Sequence, residues 1–461
     1  MTGDSQEQGR ATGVSWSESA VLAALDLPSQ SAGSLTFSSI TTDSRAVAPG
    51  ALFVALAGER FDGHDYLAAV AAARASGAVV RTGTAPVAGL RLFEVPDTLV
   101  ALGHLARARR RQIAGPVIAI TGTNGKTSTK EMIAAVLGTR FRVHATRANL
   151  NNLIGVPLTI LESPAETDAL VVEAGANMPG EIARARRIIE PDIAVITNAV
   201  AGHLEGFGSL AGVLEEKLSL TEGVNLAIVG PEPPALTDGA RRRAKTTRTA
   251  GLERADLVPD GVRVGDHARP VITIGGHIFT LAARGLHQAD NAMRVWAVVE
   301  ALGLDKTASA RALEQFSLPG GRGELMNVGH LTILNDCYNA NPQSFRAAIE
   351  TARALRDKRR LVFLAGTMRE LGPDAPVLHA EIARALVELE PDLLGAIGDF
   401  VVALEPYAGR LGDRLITAAD PIVLGERLAG RLTGDEVVVL KASRGVALER
   451  ALPALTAAAR R

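Results

Sequence analysis

IAITGTNGKTSTKEM, residues 118–132, decides how the rest of the chain is read. An apolar strand-like run leads into Gly122; Gly125 follows, then Lys126 and Thr127, and from Ser128 the pattern becomes helical. A buried strand, a glycine turn and a helix N-terminus together make an anion site. Backbone N–H groups and the positive end of the helix dipole point at phosphate oxygens, and glycine lets the backbone come close. The phosphate-contacting stretch is then Gly122, Thr123, Asn124, Gly125, Lys126, Thr127 and Ser128, with Lys126 reaching the β- and γ-phosphates and the Thr127 hydroxyl set on Mg²⁺. Only Thr123 and Asn124 separate the two glycines, whereas the usual Walker loop has four residues there, and a GKT tripeptide alone is weak evidence. Its place between a strand and a helix favours a phosphate site over a purely structural turn.

A chain of 461 residues is too long for one core and points to about three domains. Hydrophobic residues at 47% with a net charge of −1 fit a soluble globular protein with no bias towards nucleic acid or membrane. No apolar run approaches a membrane span. Residues 1–14 lack the basic and apolar regions of a signal peptide and read as a disordered lead-in. One cysteine, Cys337, excludes an internal disulfide and fits a reducing cytoplasm. A monomer is expected. Of the 49 basic residues only seven are lysines: Lys126, Lys130, Lys217, Lys245, Lys306, Lys358 and Lys441. Where an arginine-rich chain keeps lysine, a compact or deprotonatable amine is chemically required, or the position has merely drifted. The surroundings of Lys126, Lys217 and Lys441 favour the first reading.

The fold class expected is α/β in three domains. Residues 15–112 form a small α/β domain, with strands at 34–40, 50–56 and 78–80 and a helix at 66–76. The loop TDSR at 42–45 and the turn-rich stretch 58–65, which carries His64, are either solvated loops or a site for a phosphorylated or nucleotide-linked ligand. A helix over 99–111 ends in ARARRR, read as a basic face and linker. Residues 113–320 alternate strand and helix, the pattern of a mainly parallel sheet covered on both faces. Its strands fall at 116–121, 169–174, 193–198 and 227–230, with a β-rich section at 261–281 and a helix at 291–302. Residues 321–461 alternate again in a Rossmann-like way, with strands at 331–336, 361–365, 394–397 and 436–440.

Ligands in such sheets gather at the carboxyl ends of the strands, and the polar residues fall there. Glu173 closes an apolar run, where a carboxylate is costly unless paired or metal-bound. His203 lies in a glycine-rich loop, NAVAGHLEGFG. Thr127, Glu173 and His203 make an oxygen and nitrogen set suited to Mg²⁺, which takes few protein ligands beside phosphates and waters. Each alone also reads as an ordinary strand-end or loop residue. Lys217, in GVLEEKLSL, is by default a surface helix lysine. Arg322, after the glycine pair Gly320–Gly321, could neutralise phosphate charge, and His287 and Asn291, near a helix start, could contact a base or ribose.

These residues, in this order and spacing, resemble the Mur ligase family over nearly the whole chain. TGTNGKTSTKEM looks like the family ATP loop and NLNNLIGVPLTI like the segment that follows it. EAGANMPGEI and NAVAGHLEGFGS are similar to its two Mg²⁺-bearing segments. DCYNANPQSF resembles the hallmark of the branch that adds D-alanyl-D-alanine, and KASRGVALE the terminal Lys-Gly-Ser-Arg motif. The Asp-Asn-Pro-Arg signature common in the diaminopimelate-adding branch is absent. Departures are Met178 for a frequent histidine, Ala148 and Ala442 for usual glycines, Thr367 in a segment often written Gly-Asp-Met, and Asn335 for the first of two aspartates.

The resemblance implies an ATP-dependent ligation of D-alanyl-D-alanine to the carboxylate of UDP-N-acetylmuramoyl-tripeptide, through an acyl phosphate, in peptidoglycan synthesis in the cytoplasm. By similarity Lys126, His203 and Lys217 are catalytic, and Thr127, Glu173, His203 and Lys217 hold Mg²⁺, Lys217 as a carbamate that arginine could not form. Asn291, Arg322 and Asp336 match positions around adenine, phosphate and ribose. Tyr338, Asn339 and Asn341 match the D-alanyl-D-alanine site, Ser44 and Arg45 the UDP-sugar site, and Asn152 and Lys441 are further substrate contacts. Composition and the absence of a long apolar run leave no nucleic-acid partner and no membrane span expected. The alternatives are a Mur-type ligase with a single amino acid as acceptor, and a nucleotide-binding module without turnover.

Overall fold

The structure, a computed structural model, describes residues 14–29, 33–202 and 204–458. The lead-in expected at 1–14 and the candidate ligand His203 therefore fall, apart from Val14, outside the described residues. The chain forms two compact units. One comprises Met1–Ile120, Arg140–Ala176 and Gly180–Ala194; the other comprises Thr121–Thr139, Asn177–Pro179 and Val195–Arg461.

The first unit carries a four-stranded parallel sheet: β1 (Ile40–Thr41), β2 (Leu52–Val54), β3 (Gly77–Arg81) and β4 (Arg91–Val95), in the order β1-β2-β3-β4. The single strand expected at 34–40 is in fact two. Thr36–Phe37 pairs antiparallel with Trp16–Ser17, and the chain then turns through Ser38 and Ser39 to start β1. Helix α1 (Thr98–Arg110) follows, started by the Asp97 carboxylate, which accepts from the N–H groups of Leu99 and Val100.

The arginine run at its end, read as a basic face and linker, is buried at its centre. Arg109 and Arg110 are 2% and 9% exposed. Arg110 donates to Ile189 O and Glu190 O, both at 2.8 Å, and Arg109 donates to Pro164 O at 2.6 Å. A guanidinium has five donors in a fixed fork, so it can satisfy several loop carbonyls at once and be buried without an unmet charge. Arg111 and Arg107 flank the pair and hold the Glu190 carboxyl down at about 2, Arg111 most strongly. The run is a staple.

The central sheet comprises β5 (Val117–Thr121), β6 (Val143–Ala145), β7 (Ala169–Glu173), β8 (Ile193–Ile196), β9 (Leu226–Val229) and β10 (Thr246–Thr249), in the order β10-β9-β8-β5-β7-β6. Its pairs β5–β7, β6–β7 and β9–β10 are parallel. Strands β5, β7 and β8 are buried at every residue, which is why they read as unbroken apolar runs. Helices α2 (Lys126–Leu137), α3 (Gly155–Leu161), α4 (Glu181–Ile189) and α5 (Leu210–Leu218) connect them. An antiparallel meander follows: β11 (Gly261–Val264), β12 (Pro270–Ile274) and β13 (His277–Thr280). Its second turn is Gly275–Gly276 with both φ positive, the two-residue hairpin that this dipeptide signals. Helix α6 (Leu286–Ala301) begins before the expected residue 291.

The last sheet contains β14 (Glu324–Val328), β15 (Leu331–Asp336), β16 (Leu361–Ala365), β17 (Leu393–Ala396), β18 (Leu415–Thr417) and β19 (Val437–Lys441). The order is β14-β15-β19-β16-β17-β18, parallel except for the edge strand β14. Alternate residues serve opposite faces. Leu361, Phe363 and Ala365 pack with α7 (Pro342–Arg356) and α8 (Ala375–Glu388), while Val362 and Leu364 pack with Leu424, Leu428 and Leu455 on the other side. Helices on both faces make the layers of a doubly wound α/β unit.

Candidate active site

The phosphate loop occupies the junction of β5 and α2. Gly122 has φ +146 and Gly125 has φ +76. A Cβ on Gly125 would stand 2.7 Å from Asn291 Nδ2, and one on Gly122 would overlap the Thr197 hydroxyl. Both glycines are thus required by close approach as well as by conformation. The loop is braced from behind by the segment that follows β8. Asn198 O accepts from Thr123 N at 3.1 Å, Asn198 Oδ1 accepts from Asn124 N at 3.0 Å, and Thr197 Oγ1 donates to Asn124 O. Lys126 Nζ donates to Gly122 O at 2.8 Å and to Thr123 O at 3.1 Å, curling the amine over the loop. Thr127 and Ser128 are buried in the first turn of α2. Ser128 Oγ accepts from Gln288 Nε2, and Gln288 Oε1 in turn accepts from Asn291 Nδ2, so α6 fixes the amide that faces Gly125.

The second group gathers at the end of β15. Asp336 and Lys441 are register partners on neighbouring parallel strands, so their side chains emerge together. Lys441 Nζ reaches Asp336 Oδ2 at 2.6 Å and Asn339 O at 2.8 Å, tying down the loop that leaves β15. The Tyr338 ring carries Arg322 Cζ at 3.5 Å and Arg444 Cζ at 5.1 Å from its centroid, a cation–π contact that places two guanidiniums on one ring. Burial pushes the neighbouring Cys337 thiol far above its ordinary range, so it is inert.

Asn341 joins the two groups. Its Oδ1 caps α7 by accepting from Ser344 N, and Ser344 Oγ accepts from Asn341 N to complete a capping box. The same side chain exchanges two hydrogen bonds with Asn124, at 2.6 and 3.1 Å, and Gln343 takes a third from Asn124 Nδ2 at 2.7 Å. A cleft lined by Thr123, Gly202, Asn339, Asn341, Arg369 and Glu370 opens between them.

The other candidates stand in different surroundings. Glu173, 2% exposed at the end of β7, accepts from Asn151 Nδ2 at 2.8 Å. Asn152 Oδ1 accepts from Ile154 N and Gly155 N, holding the turn into α3. Lys217 is no surface lysine: it is 1% exposed, with Nζ 5.4 Å from the centre of the Phe207 ring. Ser44 and Arg45 follow β1, where the Arg45 guanidinium pairs with Asp43 and holds that carboxyl at about 2. Among the described residues no group of three or more His, Cys, Asp or Glu stands ready as a metal cluster. Asn198 is one of the polar residues expected at a ligand-gathering strand end, whereas Gln288, Gln343 and Arg369 were not singled out as site residues. A Gln three positions before Asn291 on a helix was a readable signal; the rest depend on contacts far apart in sequence.

Comparison with known proteins is specific. Residues 36–110 match the model for the Mur ligase family, catalytic domain. Residues 120–299 match the Mur ligase middle domain, and residues 321–452 match the Mur ligase, glutamate ligase domain. A UDP-N-acetylmuramoyl-tripeptide--D-alanyl-D-alanine ligase of Bacillus subtilis (strain 168) is 34% identical, over 89% of this chain and 91% of the relative. The crystal structure of MurF from Acinetobacter baumannii superposes with a TM-score of 0.86 at 28% identity, covering 97% of this chain and all of that one. The MurF ligase from Thermotoga maritima in complex with ADP gives 0.80 at 28% identity, over 92% of this chain and 98% of the other.

Proposed function

The chain belongs to the Mur ligase family, and from that premise we propose that it joins D-alanyl-D-alanine to the terminal carboxylate of UDP-N-acetylmuramoyl-tripeptide at the expense of ATP. The observation that carries the reading is the amide exchange between Asn124 and Asn341, which sets a phosphate loop beside an acceptor-side loop on one cleft. The product is a UDP-MurNAc-pentapeptide, a peptidoglycan precursor.

In the first step a tripeptide carboxylate oxygen attacks the γ-phosphorus, the bond to the β-phosphate oxygen breaks, and ADP leaves an acyl phosphate. The acceptor amine then attacks the acyl carbon. The tetrahedral intermediate expels inorganic phosphate, and the amine proton is lost as the amide forms. Phosphoryl transfer needs positioning and charge neutralisation more than covalent help. Lys126, the loop N–H groups of residues 122–128 and Arg322 supply these, while Asn291 faces the base and Asp336, held by Lys441, the ribose. Tyr338, Asn339 and Asn341 shape the acceptor side; Ser44, Arg45 and Asn152 meet the UDP-linked substrate.

Thr127 and Glu173 bring hard oxygen donors, and a buried strand-end carboxylate fits a cation, so with His203 and Lys217 they would hold Mg²⁺. The ion would supply charge for the phosphates. Lys217, buried on α5, would serve as a carbamate, which turns an amine into a carboxylate-like ligand. Among the described residues no helix is long and apolar enough to cross a membrane. We place the reaction in the cytoplasm, where ATP and a reduced Cys337 belong, and divide the chain at about 112 and 320; the three matched segments support that division.

The test is phosphate release from ATP, which should require UDP-MurNAc-tripeptide and D-alanyl-D-alanine together. Equal release with a single D-alanine would overturn the acceptor assignment. No release with any acceptor would leave only a nucleotide-binding module.

A further inference from the structure

Arg369 lies in the loop after β16, and nothing in the chemistry above uses it. Its backbone N–H donates to Ser443 Oγ at 2.9 Å, and Ser443 N donates to Thr367 O at 3.1 Å, so the loops leaving β16 and β19 are stitched together. The guanidinium lies flat on Gly445. A Cβ there would stand 2.5 Å from Nη1 and 2.8 Å from Cζ, so the missing side chain makes the berth that holds the fork. It lines the cleft beside Thr123, Asn339 and Asn341, and among the described residues it is the only cationic side chain of that lining. Among the described residues it is in no ion pair, unlike Arg45, Arg107, Arg111 and Arg142.

The substrate that this side of the cleft must accept is a zwitterion. Its amine reacts at the acyl phosphate, while its carboxylate, at the other end of a dipeptide, needs a counter-charge once it leaves water. A planar fork of donors matches a carboxylate in a bidentate way. The neighbouring Glu370 gives the cleft its other sign. It holds φ +64, a left-handed conformation that is strained for a non-glycine residue and of the kind that concentrates at functional sites. Its charge would repel a carboxylate and favour the ammonium end, so the pair orients the dipeptide.

We propose that Arg369 is a specificity residue that receives the terminal carboxylate of the D-alanyl-D-alanine acceptor. The inference rests on the ligase reading above and adds to it the group that recognises a free carboxyl end.

The experiment compares D-alanyl-D-alanine with its C-terminal amide as acceptors, for the wild-type enzyme, Arg369→Gln and Arg369→Lys. Wild type should prefer the free acid by about ten- to a hundredfold in kcat/KM, the worth of one charge-assisted bidentate contact. Arg369→Gln should raise the acceptor KM by a similar factor, leave the KM values for ATP and UDP-MurNAc-tripeptide within about twofold, and bring the acid-to-amide ratio close to one. Arg369→Lys should keep part of that ratio. A merely structural arginine would lower activity with both acceptors alike. A wild-type enzyme that used the amide as well as the acid would overturn the proposal without any variant, and so would an unchanged ratio in Arg369→Gln. Absence of turnover with either acceptor would instead sink the ligase reading, and this inference with it.

Discussion

Asn341 does two jobs with one amide, and they can be separated. Its Oδ1 caps α7, and its Nδ2 donates to Asn124 Oδ1. Asn341→Asp keeps the acceptor, hence the cap, but removes the donor and puts a negative charge beside the phosphate loop. The unfolding temperature should stay close to that of the wild type, while kcat/KM for ATP falls about a hundredfold, roughly 2.7 kcal/mol of transition-state stabilisation. Asn341→Ala should lose both, with about 1 kcal/mol of stability gone along with the cap. Wild-type turnover in Asn341→Asp would mean that the amide exchange has no part in catalysis. Half of this was legible in the sequence. An Asn-Pro before a helical pattern marks the cap, whereas the partner Asn124 is 217 positions away and no local pattern points to it. Ala148 shows the reverse case. The resemblance leads one to expect glycine there, and Ala148 takes φ +48, the left-handed conformation that glycine favours.

At the scale of elements, burial decided what could be read. Strands 331–336 and 361–365 were read to the residue, because a parallel strand covered on both faces is an unbroken apolar run. The strands that escaped are short or partly exposed: β4, β6, β10, β14 and β18 carry Arg91, His144, Arg248, Glu324 and Thr417 where a core strand would be apolar. The arginine staple of α1 was misread because a guanidinium is buried only where several carbonyls converge, and convergence is a property of the fold. Strand β6 carries a measurable consequence. His144 is 5% exposed, and burial, with Arg147 adding to it, pushes its imidazole down to about 4. The unfolded chain takes up this proton below about 6.5 and the folded one only below about 4, so stability present at neutral pH drains away as pH falls through that window. The loss should approach about 1.4 kcal/mol per pH unit and total about 3 kcal/mol. Denaturant midpoints measured at pH 7 and pH 5 should differ accordingly, and His144→Gln should flatten the difference. An equal pH dependence in the variant would assign it to other groups.

For the whole molecule, the α/β layering was readable from alternation, and the polar residues that interrupt apolar runs do stand at strand ends. What the sequence could not supply was the pairing of distant segments: the brace from 197–200 behind the loop, α6 facing Gly125, and Arg369 on the same cleft as Thr123. That pairing makes nucleotide binding a property of a large folded unit, with a predictable thermal signature. The loop, Asn291, Arg322 and Asp336 all belong to the second unit. ADP with Mg²⁺ at a hundred times its Kd should add about 2.7 kcal/mol to the folded state. An unfolding entropy of about 2.1 cal/mol/K per residue, taken over a unit of some three hundred residues, makes that a rise in Tm of only about 4–5 °C. The same binding in a small domain would give a far larger shift, so a modest one is the expected signature. Lys126→Ala should abolish the rise, because the amine that curls over the loop is the one that would turn to the phosphates. The unliganded Tm should move little, since the bonds it makes to the Gly122 and Thr123 carbonyls are part-buried and water can replace the amine. A full nucleotide-induced rise in Lys126→Ala would place the phosphates somewhere other than the loop between β5 and α2.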